Sequence, residues 1–159
     1  MKTALIYSSK YGSTKRVAMQ IAGKLHNVAG LLCVDLDNPN PDNFDAIILG
    51  MPIYAGSTTR DMRSFLKKNR DSLKDKIIAV FILCWDSKRL NEFVENIFPE
   101  KLPENVVVES VGGELDPELL MDVEKAIIYD LTGITQKTSD ISDEKIDMFV
   151  EEVNSITGS

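Results

Sequence analysis

Hydrophobic residues occur along this chain in two patterns, short continuous runs and amphipathic stretches. Five apolar runs predict buried strands at residues 3–8, 31–36, 45–50, 77–84 and 106–111. Apolar residues recur at helical spacing over residues 14–26, 59–69, 88–98 and 143–156. Continuous runs such as IIAVFILC are typical of strands that helices cover on both faces. The alternation predicts a doubly wound α/β fold with a parallel sheet.

Residues 114–142 depart from this alternation. The pair Asp116-Pro117 predicts a helix start, because proline is favoured in the first turn of a helix. The apolar stretch at 126–131 would continue that helix, and residues 132–142 are predicted to form a loop. We therefore predict one domain over residues 1–159, with an extra helix or loop segment at about 114–142.

The first predicted strand runs directly into a turn rich in hydroxyl groups, SSKYGST at residues 8–14. Gly12 allows the chain to bend tightly there. The helix that follows directs its unpaired amides and its positive dipole end into the turn. This arrangement predicts a phosphate site, with Lys10 near enough to contribute. The alternative is that Ser13 or Thr14 only caps the helix.

Two further strands end in loops that carry aromatic residues. The third strand is followed by GMPIYAGSTT at residues 50–59, and the fourth ends in CWDSK at residues 84–88. In an open parallel sheet, ligands bind beyond the carboxyl ends of the strands, where the strand order reverses. A phosphate turn beside two such loops favours a flat, apolar, phosphorylated ligand.

Composition narrows the classes of function. The net charge of −7 argues against a nucleic-acid-binding protein and favours basic partners. No stretch approaches the roughly 20 apolar residues of a membrane helix, and the N-terminus lacks a signal-peptide pattern, so we expect a cytoplasmic protein. A single histidine and two separated cysteines make a zinc site improbable, and they predict reduced thiols at Cys33 and Cys84.

The motif at residues 9–14 resembles the flavodoxin phosphate signature, and GMPIYAG resembles the loop that covers one face of flavin mononucleotide (FMN) in flavodoxin-like proteins. The runs IYSSKYGSTKRVA, GMPIYAGSTTRDMRSFLKKN and VGGEL are similar to the branch that includes menaquinone-dependent protoporphyrinogen oxidase. The resemblance implies a five-stranded parallel sheet in the order 2-1-3-4-5, helices on both faces, and FMN as cofactor. In that order Cys33 and Cys84 would lie about 14 Å apart, too far for a disulfide.

The resemblance also implies which residues bind FMN. Those expected at the phosphate end are Ser8, Ser9, Lys10, Tyr11, Gly12, Ser13 and Thr14. Those expected along the isoalloxazine ring are Pro52, Ile53, Tyr54, Ala55 and Gly56, with Leu83, Cys84, Trp85 and Asp86 at its other side or its pyrimidine edge. Tyr11 replaces the hydroxyl amino acid usual at its position in the motif. For Tyr54 and Trp85, the alternative is packing in the core.

We interpret the chain as an electron-transfer flavoprotein, a low-potential carrier or a small FMN oxidoreductase, that exchanges electrons with redox proteins. A carboxylate about 10 Å from the flavin opposes its reduction by roughly 0.4 kcal/mol in water, which is about 20 mV for one electron. With 25 acidic residues, the sequence predicts a low potential. The oligomeric state stays open.

The motifs in the chain bear on several other candidate functions. A protoporphyrinogen oxidase-like enzyme with a quinone acceptor is the alternative within the family, and the acidic residues of the 114–142 segment weaken it. A response-regulator receiver domain needs an aspartate after the third strand, where Gly50-Met51 stands. The motifs of P-loop hydrolases and dinucleotide-binding domains are absent. A partner-binding module that has lost FMN stays open.

Overall fold

A five-stranded parallel sheet forms the centre of the computed structural model, which describes residues 1–54, 56–85 and 87–157. The strands stand in the order β2-β1-β3-β4-β5, so the predicted sheet is confirmed. Their bounds are β1 Thr3–Tyr7, β2 Val28–Cys33, β3 Ala46–Pro52, β4 Ile77–Leu83 and β5 Val107–Ser110. β3 continues two residues beyond its predicted end, and Gly50 therefore lies within the strand.

Helices cover both faces of the sheet, as predicted. They are α1 Ser13–Lys24, α2 Arg60–Lys68, α3 Arg70–Leu73, α4 Leu90–Ile97, α5 Asp122–Thr132 and α6 Asp143–Ile156. α1 and α6 pack on one face, and α2 and α4 pack on the other. Successive residues of β1 lie on opposite faces of the sheet. Leu5 packs on the face covered by α1 and α6, Ile6 packs on the face covered by α2 and α4, and both are fully buried. Burial on both sides explains the continuous apolar runs.

The extra segment after β5 folds as a short hairpin that encloses α5. Its two strands, β6 Glu114–Leu115 and β7 Thr138–Ser139, pair antiparallel. The predicted helix start at Asp116-Pro117 yields only one 3₁₀ turn, Pro117–Leu119. A new helix begins at Asp122, where the Glu124 side chain accepts the Met121 N–H at 3.1 Å. The expectation of one continuous helix is wrong, because this second cap starts a separate one.

Both cysteines are buried free thiols. Cys33 is the last residue of β2, and Cys84 follows β4. Burial and the neighbouring Asp35 carboxylate raise the pKa of the Cys33 thiol.

Among the described residues, no helix has the length and apolar character needed to span a bilayer.

Candidate functional site

The turn after β1 has the geometry of an anion site. Gly12 precedes α1 at φ +95°, in the left-handed region that glycine enters without strain. Its N–H donates to the Ser9 hydroxyl at 3.0 Å. No side chain in the described part of the chain caps α1, so no side chain takes up the first amides of the helix. The alternative interpretation, in which Ser13 or Thr14 caps this helix, is therefore wrong.

Hydroxyl groups join this turn to the start of α2. The Ser8 N–H donates to the Gly50 carbonyl at 3.0 Å, and the Thr59 hydroxyl donates to the Ser8 hydroxyl at 2.9 Å. Beside them, Thr58 is 6% exposed, and its hydroxyl has no hydrogen-bond partner within the described residues. A buried hydroxyl without a partner costs about 1–3 kcal/mol. A polar ligand or water at this point would remove that cost.

Two carboxylates of the extra segment reach the turn at residues 8–14. Glu124 accepts hydrogen bonds from the Lys10 ammonium and the Tyr11 hydroxyl, both at 2.5 Å. Glu114 accepts from the Arg16 guanidinium and from the Ser13 hydroxyl, the latter at 3.3 Å. The segment is thus fastened to the turn at two points. The hydroxyl of Tyr11, the unusual residue of the motif, is engaged by Glu124.

These donors change the acidity of Glu124. Hydrogen bonds from Lys10, Tyr11 and the Met121 N–H lower the pKa of the Glu124 carboxyl to about 2. The pKa of Lys10 is raised, chiefly because its ammonium donates to Glu124. The pKa of Tyr11 is raised, first by burial and then by its bond to Glu124. At neutral pH this contact therefore joins a carboxylate to an ammonium and a neutral phenol.

Glu124→Gln is expected to make the protein less sensitive to acid. Because the pKa of Glu124 is depressed in the folded state, its carboxylate stabilises the fold above pH 4.5, and this contribution is lost as the pH falls from about 4.5 towards 2. The amide does not titrate over this range. Urea unfolding at pH 6 and pH 3 should therefore show a smaller drop in the free energy of unfolding for the variant.

The matched control for this experiment is Glu118→Gln. Glu118 lies in the same segment and is exposed, and its carboxylate forms no ion pair in the described part of the chain. This variant should lose stability with acid as the unsubstituted protein does. Equal acid sensitivity in Glu124→Gln and the unsubstituted protein would show that the contact to Lys10 and Tyr11 contributes nothing to stability.

Two adjoining cavities lie between the strand-end loops and α5. They share the walls Tyr54, Leu115 and Ile128, and their lining is largely apolar. The smaller, of about 150 Å³, is lined by Lys10, Tyr11, Tyr54, Leu115, Leu120, Glu124, Ile127 and Ile128. The larger, of about 390 Å³, is lined by Ile53, Tyr54, Gly56, Cys84, Trp85, Arg89, Phe93, Leu115, Ile128, Leu131 and Thr132. Apolar cavities of this size beside a few polar groups suit a flat organic ligand.

Tyr54 stands where the cavities meet. Its ring lies edge-on to that of Tyr11, with ring centroids 5.7 Å apart and planes at 74°. Burial raises the pKa of Tyr54 to about 12, so the phenol stays neutral at physiological pH. Its backbone exchanges hydrogen bonds of 2.8 and 3.1 Å with Ser57, and Gly56 adopts φ +81° between them. The tight turn thus places Tyr54 in the cavity wall and leaves its backbone close to the cavity.

Trp85 is held in the larger cavity by the chain that follows β5. A side chain at Gly113 would place its Cβ 2.9 Å from the indole, so the ring packs directly on the Gly113 backbone. The Gly113 N–H donates to the Asp140 carboxylate at 2.5 Å, and the Asp140 N–H donates to the Gly113 carbonyl at 2.9 Å. Trp85 therefore lines the cavity and packs on the Gly113 backbone, but it is exposed, so the alternative interpretation of packing in the core is wrong.

The structure brings most of the predicted site residues to one end of the sheet. Lys10, Tyr11, Ile53, Tyr54, Gly56, Cys84 and Trp85 line the cavities, while Ser8, Ser9, Gly12, Ser13 and Thr14 form the adjacent turn. Pro52 and Leu83 are paired inside β3 and β4 and line neither cavity. Ala55 and Asp86 lie outside the described residues.

Sequence reasoning missed the contributions of the extra segment, of α4 and of the residue before it. The residues it missed are Arg89, Phe93, Glu114, Leu115, Leu120, Glu124, Ile127, Ile128, Leu131 and Thr132. Glu124 lies 114 positions from Lys10, and Glu114 lies 101 positions from Ser13, so no local pattern relates them. The one sequence feature that pointed to these contributions was the length of the segment between β5 and the last helix, which exceeds what a single connection needs.

Comparison with known proteins agrees with this geometry. A family model for the flavodoxin domain matches residues 4–142. The chain belongs to the flavodoxin domain family. A search of curated proteins found no match. The flavodoxin resemblance in the sequence is thereby confirmed.

Solved flavodoxin structures share the fold at low sequence identity. Oxidised flavodoxin 1 from Bacillus cereus is 17% identical, with 100% of this chain and 99% of that chain covered and a TM-score of 0.56. A flavodoxin from the domain Archaea is 15% identical, with 99% and 97% covered and a TM-score of 0.54. A flavoprotein from Lactobacillus acidophilus in complex with FMN is 16% identical, with 70% and 91% covered and a TM-score of 0.50.

Proposed function

We propose that this protein binds FMN at the carboxyl ends of its strands and carries electrons between other redox proteins. FMN is the cofactor of the flavodoxin family to which the chain belongs. The observation that carries the proposal is the uncapped start of α1, with left-handed Gly12 before it, beside two apolar cavities. One end of this arrangement suits a phosphate and the other a flat ring.

The phosphate turn would hold the FMN phosphate through backbone amides and short hydroxyl groups. The amides at the start of α1 point into the turn, and the helix dipole favours a dianion there. The hydroxyls of Ser9, Ser13 and Thr14 are the side-chain donors at this place, with Lys10 beside them. Thr58, whose buried hydroxyl has no partner in the described residues, supports the presence of a polar ligand.

The two cavities would hold the isoalloxazine ring. Ile53 and Tyr54 form one wall, Cys84 and Trp85 another, and α5 closes the site from the side. When bound, FMN supplies one- and two-electron chemistry. The protein's own contribution is to orient the ring, exclude water and set the charge around it. Gly56, at φ +81°, leaves the backbone of this loop free to change conformation.

Negative charge around the site supports a low reduction potential. Arg16 and Lys10 pair with Glu114 and Glu124 at the phosphate turn, so the negative charge that acts on the flavin is the net charge of −7 of the whole chain. Reduction adds negative charge to the flavin, and neighbouring carboxylates oppose that change. A low-potential carrier fits this environment. A substrate enzyme that oxidises a porphyrinogen with a quinone acceptor is not favoured by an acidic segment at the cavity mouth.

The decisive experiment is an absorbance spectrum of the purified protein mixed with FMN, followed by anaerobic reductive titration. The proposal predicts uptake of one FMN per chain and reduction in two separate one-electron steps. Failure to take up FMN would overturn it. Rapid bleaching by NADPH alone would assign a reductase instead of a carrier, and porphyrinogen oxidation with a quinone acceptor would assign the family alternative.

A further inference from the structure

The extra segment after β5 has a fixed base. β6 pairs with β7, and the Gly113 N–H beside them donates to the Asp140 carboxylate at 2.5 Å. The Ser142 N–H donates to the Val111 carbonyl at 2.9 Å, so the two ends of the segment are held together. The chain between the two strands, residues 116–137, is called here the outer segment and contains α5. Beyond the base, only contacts of its own residues can hold the outer segment in place.

Those contacts are few. Pro117 and Leu120 are the only buried residues of the outer segment, and α5 has none. Glu124 accepts hydrogen bonds from the Lys10 ammonium and the Tyr11 hydroxyl. In the described part of the chain, no other residue of the outer segment forms a hydrogen bond or an ion pair with anything outside the extra segment. One side chain therefore provides its polar attachment.

α5 forms one side of both cavities. Ile127 lines the smaller cavity, Leu131 lines the larger, and Ile128 lines both. The facing walls carry Tyr54 and Trp85, on loops that extend directly from β3 and β4. The two sides are thus held differently, since one is continuous with the sheet and the other is a helix with a single polar contact. Outward movement of α5 would widen both cavities at once.

The ion pair of Glu124 is only partly shielded from solvent. The side chains of Lys10 and Glu124 are 48% and 25% exposed, so water and salt compete with their attraction. An ion pair in this setting breaks and re-forms readily. The closed position of α5 is therefore favoured but reversible.

We propose that the outer segment is a lid on the flavin site, that Glu124 latches it to Lys10 and Tyr11, and that this latch limits the rate at which FMN enters and leaves. The inference rests on the proposed FMN binding and adds the step that controls it. Breaking the latch raises the fraction of protein with an open lid, both with and without FMN. Association and dissociation then accelerate together, and the affinity changes little.

The test compares the FMN exchange rates of Glu124→Gln and the unsubstituted protein by stopped flow at pH 7, from the fluorescence of free FMN. Both rate constants are expected to rise by about fivefold or more in the variant, because an ionic hydrogen bond is lost. The dissociation constant should stay within about threefold. High salt should speed FMN dissociation from the unsubstituted protein more than from Glu124→Gln, because salt weakens an ion pair that the variant lacks.

Hydrogen exchange of the protein without FMN provides a second measurement. The amides of α5 should exchange faster in Glu124→Gln, while those of α6 should be unchanged. Tyr11→Phe keeps the ring and removes one of the two donors to Glu124, so it should accelerate FMN exchange less. Adding Tyr11→Phe to Glu124→Gln should give no further acceleration, since both act on one contact. Unchanged exchange of the α5 amides in Glu124→Gln would overturn the proposal.

The matched control is Glu118→Gln, which makes the same change of charge within the outer segment. Glu118 is exposed and forms no ion pair in the part of the chain that the structure describes. Its FMN exchange rates should stay within about twofold of those of the unsubstituted protein. Equal acceleration by both variants would overturn the proposal, because net charge alone would then explain the effect.

Three further outcomes separate failure of the lid from failure of the function. If the unsubstituted protein takes up no FMN, both proposals fall. If Glu124→Gln takes up FMN at unchanged rates, only the lid proposal falls. Slower FMN dissociation from Glu124→Gln would also overturn the lid proposal alone, because it would show that Glu124 restrains Lys10 from binding the phosphate.

Discussion

Gly12→Val and Thr14→Ala are expected to weaken FMN binding by about tenfold or more each, and by about a hundredfold or more together. Gly12 adopts φ +95°, and a β-branched residue there costs about 1–3 kcal/mol of backbone strain. A side chain at this position would meet no neighbour within 4 Å, so the effect comes from backbone conformation and not from a clash. Loss of a hydrogen bond to a charged phosphate costs about 1.5–3 kcal/mol, and each 1.4 kcal/mol is tenfold in affinity.

Quenching of flavin fluorescence measures this affinity, and riboflavin provides the control ligand. Riboflavin lacks the phosphate, so Thr14→Ala should leave its binding nearly unchanged while FMN binding weakens. Thr14→Ser keeps a hydroxyl and should retain most of the FMN affinity. Gly133→Val controls for strain, because Gly133 also has a positive φ, +71°, and open space around it. Equal weakening of riboflavin and FMN by Thr14→Ala would place the phosphate elsewhere.

Gly50→Ala is expected to destabilise the fold by about 1–3 kcal/mol or more through overpacking. Gly50 lies in β3 beside Phe81 of β4, and a Cβ there would overlap the Phe81 ring. That ring is fully buried and packs edge-on against Phe149 of α6, with centroids 5.7 Å apart. The Phe149 ring therefore restricts movement of the Phe81 ring on that side. Urea unfolding measures the loss of stability.

A second strand glycine provides the control for this substitution. The Cβ of Gly30→Ala, in β2, would meet its nearest neighbour, Phe44, at an ordinary 3.6 Å. Gly30→Ala should be neutral, or stabilising by about 0.4–1 kcal/mol, because alanine restricts the unfolded chain. Combining Gly50→Ala with Phe81→Leu should cost less than the sum of the two single changes, since the smaller side chain makes room. Strict additivity would contradict the proposed overlap.

The strands and the turn before α1 were predictable because local patterns encode them. A parallel strand between two helical layers must be apolar on both sides, and runs such as the one in β4 are therefore visible without a structure. The turn at residues 8–14 was predictable because a strand, a glycine and a helix start lie together in the chain. The helix that was expected to continue from Pro117 shows where prediction from local patterns fails. The expected start was correct only for a 3₁₀ turn, because a separate N-cap at Met121 starts α5.

The sequence shows where Gly50 lies relative to the third strand, but it does not show which side chain packs against this glycine. In the sequence it opens the loop after the third strand, whereas in the fold it accommodates the ring of Phe81, 31 positions later. Gly113 does the same for Trp85. The size of a side chain opposite a glycine depends on the register between strands and on loop packing, and a hydrophobic pattern along one strand carries no information about either.

The amino-acid sequence alone determined the α/β architecture, the glycine turn before α1 and the flavodoxin character of this protein, because periodicity, burial and turn chemistry act over a few neighbouring residues. Only the tertiary structure decided that Glu114 and Glu124 engage the turn after β1, that α5 lines the cavities, and that Val123, Ile127 and Leu131 of this helix stay exposed. Those contacts join residues about a hundred positions apart. They exist only once the sheet has set where each loop ends.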